Sequence, residues 1–220
     1  MYRYDECVLT GCNAKTEWQL DWFMDNYLQK NSTPIVLCDF GMTVQTKNRI
    51  KGLFSGIMDL TENKLDGWFK KPIAIFNSPA KKTLWLDTDC EVKANLKPLF
   101  NMIVPNKLNM VEDKPWSTRR GEIWHNSGVV GVMGKPQILH SWCNAVTQNP
   151  EVGDQEVLHS LLNPITRLTH INDLPFEWNV MRLATDHDDY KGPIKIQHHT
   201  GAKGKDKIKG LMKIKEVING

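Results

Sequence analysis

No stretch of this 220-residue chain is apolar for long enough to cross a membrane. Lysine, aspartate or asparagine breaks every candidate run well short of the roughly 18 residues a span needs. The opening MYRYDECVLTGCNAK carries acids and no apolar centre, so it does not read as a signal peptide, and the cytoplasm is the expected location. Cysteine is scarce: Cys7, Cys12, Cys38, Cys90 and Cys143 form no CxxC pair. An odd count at these spacings argues against a zinc knuckle or a disulfide framework and suits a reducing compartment. Also missing are a GxSxG elbow, a Walker lysine loop, HExxH and a GxGxxG fingerprint. Serine hydrolases, P-loop NTPases, zinc proteases and dinucleotide oxidoreductases therefore lose their usual signatures.

What is present is ordinary globular composition, 40% hydrophobic and 24% charged, with a notable eight tryptophans. A chain of this length buries roughly 70% of its unfolded surface and folds without staples. We expect residues 1–220 to form one domain. Charge is uneven. Residues 201–220 hold six lysines against Asp206 and Glu216, whereas the other 200 residues carry 22 basic and 23 acidic groups. The net charge of +3 thus belongs to the tail, which could face a phosphorylated ligand, nucleic acid or solvent. Its later part alternates lysines with Ile208, Leu211, Met212 and Ile214, the pattern of a packed element with a basic outer face.

Strand-like runs (YDECVLTG, PIVLCDFG, PIAIFNS, TLWLDTD, GEIWHNSGVVGV and IKIQHH) alternate with helical segments. The first helix follows Thr16, whose spacing to Gln19 matches a capping box. Further helices are expected around Val44–Ile50, Asn95–Met102, Pro136–Val146 and Asp154–Leu162. Residues 104–120 read as a polar connection, and Asn126–Gly128 as a turn between two apolar runs. Uniformly apolar strands alternating with helices predict an α/β fold with a largely parallel central sheet flanked by helices. Ligands then belong at the carboxyl ends of the strands, where Asp39, Asp87 and Asp89 fall.

TLWLDTDC is the sharpest feature. Asp87 and Asp89, two residues apart at a strand exit, suit a hard divalent ion that also holds phosphate oxygens. Near the other end, IKIQHHTGAKGK offers His198 and His199 on opposite sides of an extended segment, so one of them can meet a site. An imidazole added to carboxylates favours manganese or a similar transition ion over magnesium. Gly201 allows a tight turn, after which Lys203 or Lys205 can meet phosphate as a point charge. Asn126 and Ser127 interrupt buried runs, and Asp154 with Gln155 opens a helix, either as a cap or aimed at a hydroxyl-rich ligand. The string Asp186–His187–Asp188–Asp189 looks metal-like, but its polar turn setting favours solvated acids.

Taken in order, LWLDTD, HNSGVVGV, GDQEVL, LPFEWN and HHTGAKGK resemble GT-A fold nucleotide-sugar glycosyltransferases. The similarity is greatest to the retaining group of glycogenin and the bacterial lipopolysaccharide galactosyl- and glucosyltransferases. The resemblance runs to about Lys205. It implies Asp87 and Asp89 as metal ligands, with Asp87 also near the donor ribose, and His199 as third ligand, with His198 the alternative. It implies Lys205, then Lys203, on the donor diphosphate beside Gly201, and Thr10 and Gly11 near uracil and ribose. Asn126, Ser127, Asp154 and Gln155 would face the donor sugar and reacting centre. Two features depart from that pattern. Asp206 and Lys207 stand where a proline–tryptophan pair is usual, and Trp116 with Arg119 and Arg120 has no counterpart, which fits an acceptor-specific loop. KKPIAIFNSPAKKTLWLDTDC also resembles mannosyltransferase-type GT-A enzymes, in which a lysine–proline pair precedes the metal strand.

The expected activity is a hexosyl transfer from a UDP-sugar to a saccharide or other hydroxyl acceptor, with retention and with Mn2+, or Mg2+, as cofactor. The alternative is a nucleic-acid-binding protein using the lysine-rich C-terminus, or a glycosyltransferase acting on hydroxylated DNA bases. A nucleotidyltransferase fits less well, because TGCNAKTEW is not its glycine-rich first loop.

Overall fold

The computed structural model describes residues 2–149, 152–187 and 189–219. Its strands, in chain order, are β1 (Tyr4–Cys12), β2 (Ile35–Asp39), β3 (Gly56–Asp59), β4 (Ala80–Leu86), β5 (Cys90–Val92), β6 (Leu108–Glu112), β7 (His125–Met133), β8 (Ile171–Asp173), β9 (Val180–Met181) and β10 (Ile196–His198). Seven of them make one sheet in the order β3-β2-β1-β4-β7-β6-β8, in which β7 alone runs against its neighbours. The expected α/β architecture with a mostly parallel sheet is what the chain adopts. A second, three-stranded sheet, β5-β10-β9, sits past the end of β4.

Among the described residues, ten α-helices surround these sheets: α1 (Leu20–Leu28), α2 (Val44–Arg49), α3 (Lys71–Phe76), α4 (Lys97–Met102), α5 (Lys114–Arg120), α6 (Gln137–Gln148), α7 (Asp154–Ser160), α8 (Pro164–His170), α9 (Arg182–Asp186) and α10 (Gly201–Asn219). Side-chain alternation along β1 and β4 feeds two cores. Leu9 and Trp85 pack with Ala74 and Ile75 of α3, Trp142 of α6 and Val157 of α7. Val8, Leu84 and Leu86 pack on the other face with Phe23 and Tyr27 of α1, Leu99 and Phe100 of α4, and Ile208 of α10. Each fully buried Leu or Phe contributes about 1.5–3 kcal/mol of transfer energy.

Four expectations are corrected. PIAIF is helix α3, not a strand: Pro72 occupies the first turn, where its missing N–H costs nothing. Residues 104–120 are not a bare connection but contain β6 and α5. Asn126–Gly128 is no turn between strands but part of β7, which bulges there: its pairing jumps from Val130 to Asn126 while β6 advances only from Met110 to Val111. Thr16 makes no capping bond, and Gln19 instead accepts a hydrogen bond from the Thr88 hydroxyl at 2.6 Å. The basic tail is the helix α10, with Ile208 buried.

Candidate active site

β4 delivers its last apolar residue, Leu86, and the chain then turns so that the Cys90 amide donates to the Asp87 carbonyl at 3.0 Å. The Asp87 amide is tied to the Gly128 carbonyl of β7 at 2.9 Å, and the Trp85 indole N–H donates to Asp87 Oδ1 at 2.7 Å. The acid is thus fixed by backbone and by ring before any ligand arrives.

β10 lies antiparallel to β5, opposite Cys90, and brings His198 onto the acids. Its Nε2 stands 3.1 Å from Asp89 Oδ1 and 3.9 Å from Asp87 Oδ2. Its Nδ1 faces the Oδ1 atoms of Asn126 and Asn179, at 3.0 and 3.1 Å. With Nδ1–H donating to these oxygens, the Nε2 side is left for the acids, the arrangement a neutral imidazole ligand requires. Gly128 makes room for the ring, since a Cβ there would lie 2.1 Å from His198 Cε1. His199 points elsewhere: its Nε2 meets Glu91 Oε2 at 3.0 Å and its ring packs edge-on against Trp22. Of the two histidines, then, the structure puts His198 beside the acids and turns the preferred His199 away, because neighbouring residues of an extended segment face opposite sides.

The electrostatics follow from this crowding. Burial pushes the Asp89 carboxyl up, but His198, Lys205 and Lys71 outweigh it and hold the group below the ordinary range. Burial likewise pushes the His198 imidazole down, and Asp89 and Asp87 more than reverse this. Asp89, Cys90 and His198 offer donor atoms within 4.8 Å of one another. Burial holds the Cys90 thiol well above its usual value, with its Sγ directed at the Gly128 carbonyl, so it is a poor ligand. Two carboxylates and one imidazole are a donor set that fits a divalent ion with open positions for phosphate oxygens.

Sequence reasoning gave no role to Lys71, the lysine of the lysine–proline pair. It is buried, contacts both Asp87 oxygens at 3.1 and 3.2 Å, and donates to the Ser127 carbonyl and hydroxyl at 3.1 Å. It also lies 3.2 Å from Asp154 Oδ2. Burial opposes its charge, yet Asp154 and Asp87 raise its affinity for the proton above that of a free lysine. Burial pushes the Asp154 carboxyl up, against the pull of Lys71. Among the described residues, no hydrogen-bond donor is aligned on Asp154 Oδ2.

Two cavities meet here. One, of about 360 Å³, is walled by Gly11, Gln19, Phe40, Trp68, Lys71, Trp85, Asp87, Asp89 and Lys205. Gly11 lets the Phe40 and Trp85 rings, which stack at 6.1 Å, lie against its backbone, because a Cβ would strike both. The other, of about 400 Å³, shares Trp68, Lys71 and Asp87 with the first and adds Asn126, Ser127, Asp154, Gln155, His198 and Gly201. Asn126 Nδ2 donates to Gln155 Oε1 and Asp113 Oδ2, both at 3.1 Å, and its Oδ1 accepts from Asn179 at 2.9 Å. Asp113, Asn179 and Lys71 escaped sequence reasoning, and Gln19 entered it only as a capping partner; LPFEWN contained Asn179, and only the fold shows what it touches. Thr10 is fully buried behind Gly11 and Lys203 is exposed, and neither lines these two cavities. Asp188, in the metal-like string, lies outside the described residues.

No family model and no curated protein matches this chain. Solved structures do. The galactosyltransferase LgtC, as an active-site mutant, aligns over 89% of this chain and 88% of its own, with TM-score 0.65 and 14% identity. The glycosyltransferase GlyE of Streptococcus pneumoniae TIGR4 aligns over 90% of this chain at TM-score 0.68 and 18% identity, but this spans only 55% of that protein. Mouse xyloside xylosyltransferase 1 aligns over 89% and 97% of the two chains at TM-score 0.56 and 13% identity. At these identities the likeness establishes the fold alone: this chain has a GT-A-like fold.

Proposed function

We propose that the chain is a metal-dependent hexosyltransferase that takes a UDP-sugar as donor and retains the anomeric configuration on an acceptor hydroxyl. The observation that carries this reading is the meeting of Asp87, Asp89 and His198 at the junction of two cavities on a GT-A scaffold. These three side chains would hold manganese, or magnesium. The bound ion would offset charge on the departing nucleoside diphosphate.

The chain's own groups divide the remaining work. The exposed Trp68 ring on the wall of the first cavity suits a flat base. Lys205, reaching the first cavity from α10, supplies a second positive charge for the diphosphate. Asp154 lines the second cavity with its Oδ2 held toward Lys71, and Gln155 and Asn126 beside it offer amide groups to a sugar hydroxyl. Lys71 keeps Asp87 and Asp154 from repelling each other and so sets the wall between base and sugar. Retention fits attack on the face that the diphosphate leaves, with its oxygen receiving the acceptor proton.

The test is a screen of nucleotide sugars for UDP release with manganese or magnesium, followed by NMR of the product's anomeric configuration. We expect release from one UDP-hexose, abolished by chelation. Folded protein that leaves every UDP-sugar intact at all metal concentrations would sink the proposal.

A further inference from the structure

Helix α5 forms the ridge between the 400 Å³ cavity and a neighbouring one of about 510 Å³; Pro115 and Leu183 line both. Its N-cap, Asp113, accepts the Trp116 amide at 3.1 Å and also binds Asn126 and Gln155, which fixes α5 to the sugar end of the site. Three cations project from this helix, all exposed: Lys114, Arg119 and Arg120. None makes an ion pair among the described residues. Each is instead held against an aromatic ring, Lys114 at 5.0 Å from Phe176, Arg119 at 5.1 Å and Arg120 at 5.0 Å from Trp116.

Of the other four arginines, Arg49, Arg167 and Arg182 each meet a carboxylate, whereas Arg3 lies over the Tyr4 ring at 5.2 Å. Glu122, the acid nearest in sequence to the two arginines, is taken by the Trp124 indole and by His159, both at 3.2 Å. Trp124 stacks on His159 and meets Trp116 edge-on, so the aromatic base under the arginines is itself braced. A guanidinium held against a ring keeps its N–H edge free, and that edge matches a phosphate in a two-point hydrogen bond. Asp189 is the one described acid on the wall of the 510 Å³ cavity, which Lys114 and Arg119 also line.

We infer that Lys114 and Arg119, which line the 510 Å³ cavity, form a subsite for a phosphomonoester carried by the acceptor, with Arg120 held beside Arg119 on the same Trp116 ring; the acceptor's hydroxyl enters the neighbouring cavity beside Asp154. Cations that make no ion pair among the described residues suit a dianion better than a neutral saccharide. The acceptor role rests on the glycosyltransferase reading; the phosphate site does not.

The experiment is an NMR titration of the full chain with glycerol 3-phosphate, with glycerol as the uncharged comparator, observing the Trp116 indole and the two arginine Nε–H groups. Saturable shifts with the phosphate and none with glycerol are expected, weakened about tenfold or more in an Arg119→Gln/Arg120→Gln variant. Absence of shifts in the wild type, or equal shifts in the variant, would overturn the subsite. An oligothymidylate lacking terminal phosphates that bound the same residues as tightly would reassign them to nucleic acid and overturn the phosphomonoester. UDP with manganese is titrated into the same samples and read at Lys205. If UDP fails to bind while glycerol 3-phosphate binds, the glycosyltransferase reading falls and takes the acceptor role with it. If UDP binds and the phosphate does not, the subsite alone falls.

Discussion

At the scale of single residues, the two adjacent histidines separate binding from stability. His198 faces the acids, whereas His199 is buried between Glu91 and Trp22. Replacing His198 by alanine should weaken manganese binding about tenfold or more, as loss of an imidazole ligand does. His199→Ala should lower the melting temperature and leave that affinity nearly intact. Calorimetric titration beside thermal melts distinguishes them, and equal effects from both would remove His198 from the metal set. Glu91 adds a pH signature. Burial pushes its carboxyl up, but His199 and Lys93 outweigh this and hold it below the ordinary glutamate range. A lowered acid contributes stability above its unfolded pKa, about 4.3, and loses it as pH falls through the lower folded value. Melts of the wild type should therefore fall on acidification from pH 5 to pH 3, and Glu91→Gln should flatten that fall. An unchanged slope in the variant would mean that the ion pair contributes nothing to acid sensitivity.

At the scale of elements, α10 is positioned by its glycines. Gly201 starts it at a φ of 73°, in the left-handed region, and Gly204 passes so close to β10 that a Cβ would lie 2.0 Å from the His199 carbonyl oxygen. Because that neighbour is backbone, Gly204→Ala should push the helix outward, cost about 1–3 kcal/mol of stability and carry Lys205 away from the first cavity. Denaturant melts with UDP titration check this; normal UDP affinity would detach Lys205 from the nucleotide. Elements were readable in the sequence where one signal dominated. TLWL, IVLC and the amphipathic α6 declare themselves by apolar pattern. β6 does not, because its second residue, Asn109, is fully buried and satisfied by Val104 and Gly131, so a polar residue occupies a core position. α3 was obscure because IAIF is too short for its period to separate helix from strand. Of the site, the acids and the Asn126–Ser127 and Asp154–Gln155 pairs stood out as polar groups among apolar runs. Lys71 did not, since nothing local to KKP reveals that two acids from distant strands and helices close on it.

At the scale of the whole molecule, the question is whether the basic tail acts as a polyanion surface or through one charge. α10 lies against α1: Ile208 is buried, Lys209 sits over Trp18 at 5.4 Å, and Lys215 pairs with Asp25 at 2.6 Å. Only Lys205 among its lysines lines the first cavity. A polyanion-tracking surface would let each lysine contribute similarly, and its affinity for DNA would fall steeply with salt, about one counterion per phosphate neutralised. A closed diphosphate site concentrates the effect on one residue, where low dielectric and short distance strengthen it and salt screens it less. The packing favours the second, because the later lysines are spent on α1 or face solvent away from that cavity. Lys205→Ala should therefore slow donor turnover about tenfold or more, the scale of a lost countercharge on a leaving group. Lys213→Ala/Lys215→Ala should leave turnover near that of the wild type. Donor-hydrolysis kinetics on both variants, with duplex and single-stranded DNA binding at two salt concentrations, decide the matter. Normal kinetics in Lys205→Ala, together with tight salt-sensitive DNA binding lost in the double variant, would put a nucleic-acid partner ahead of the nucleotide sugar.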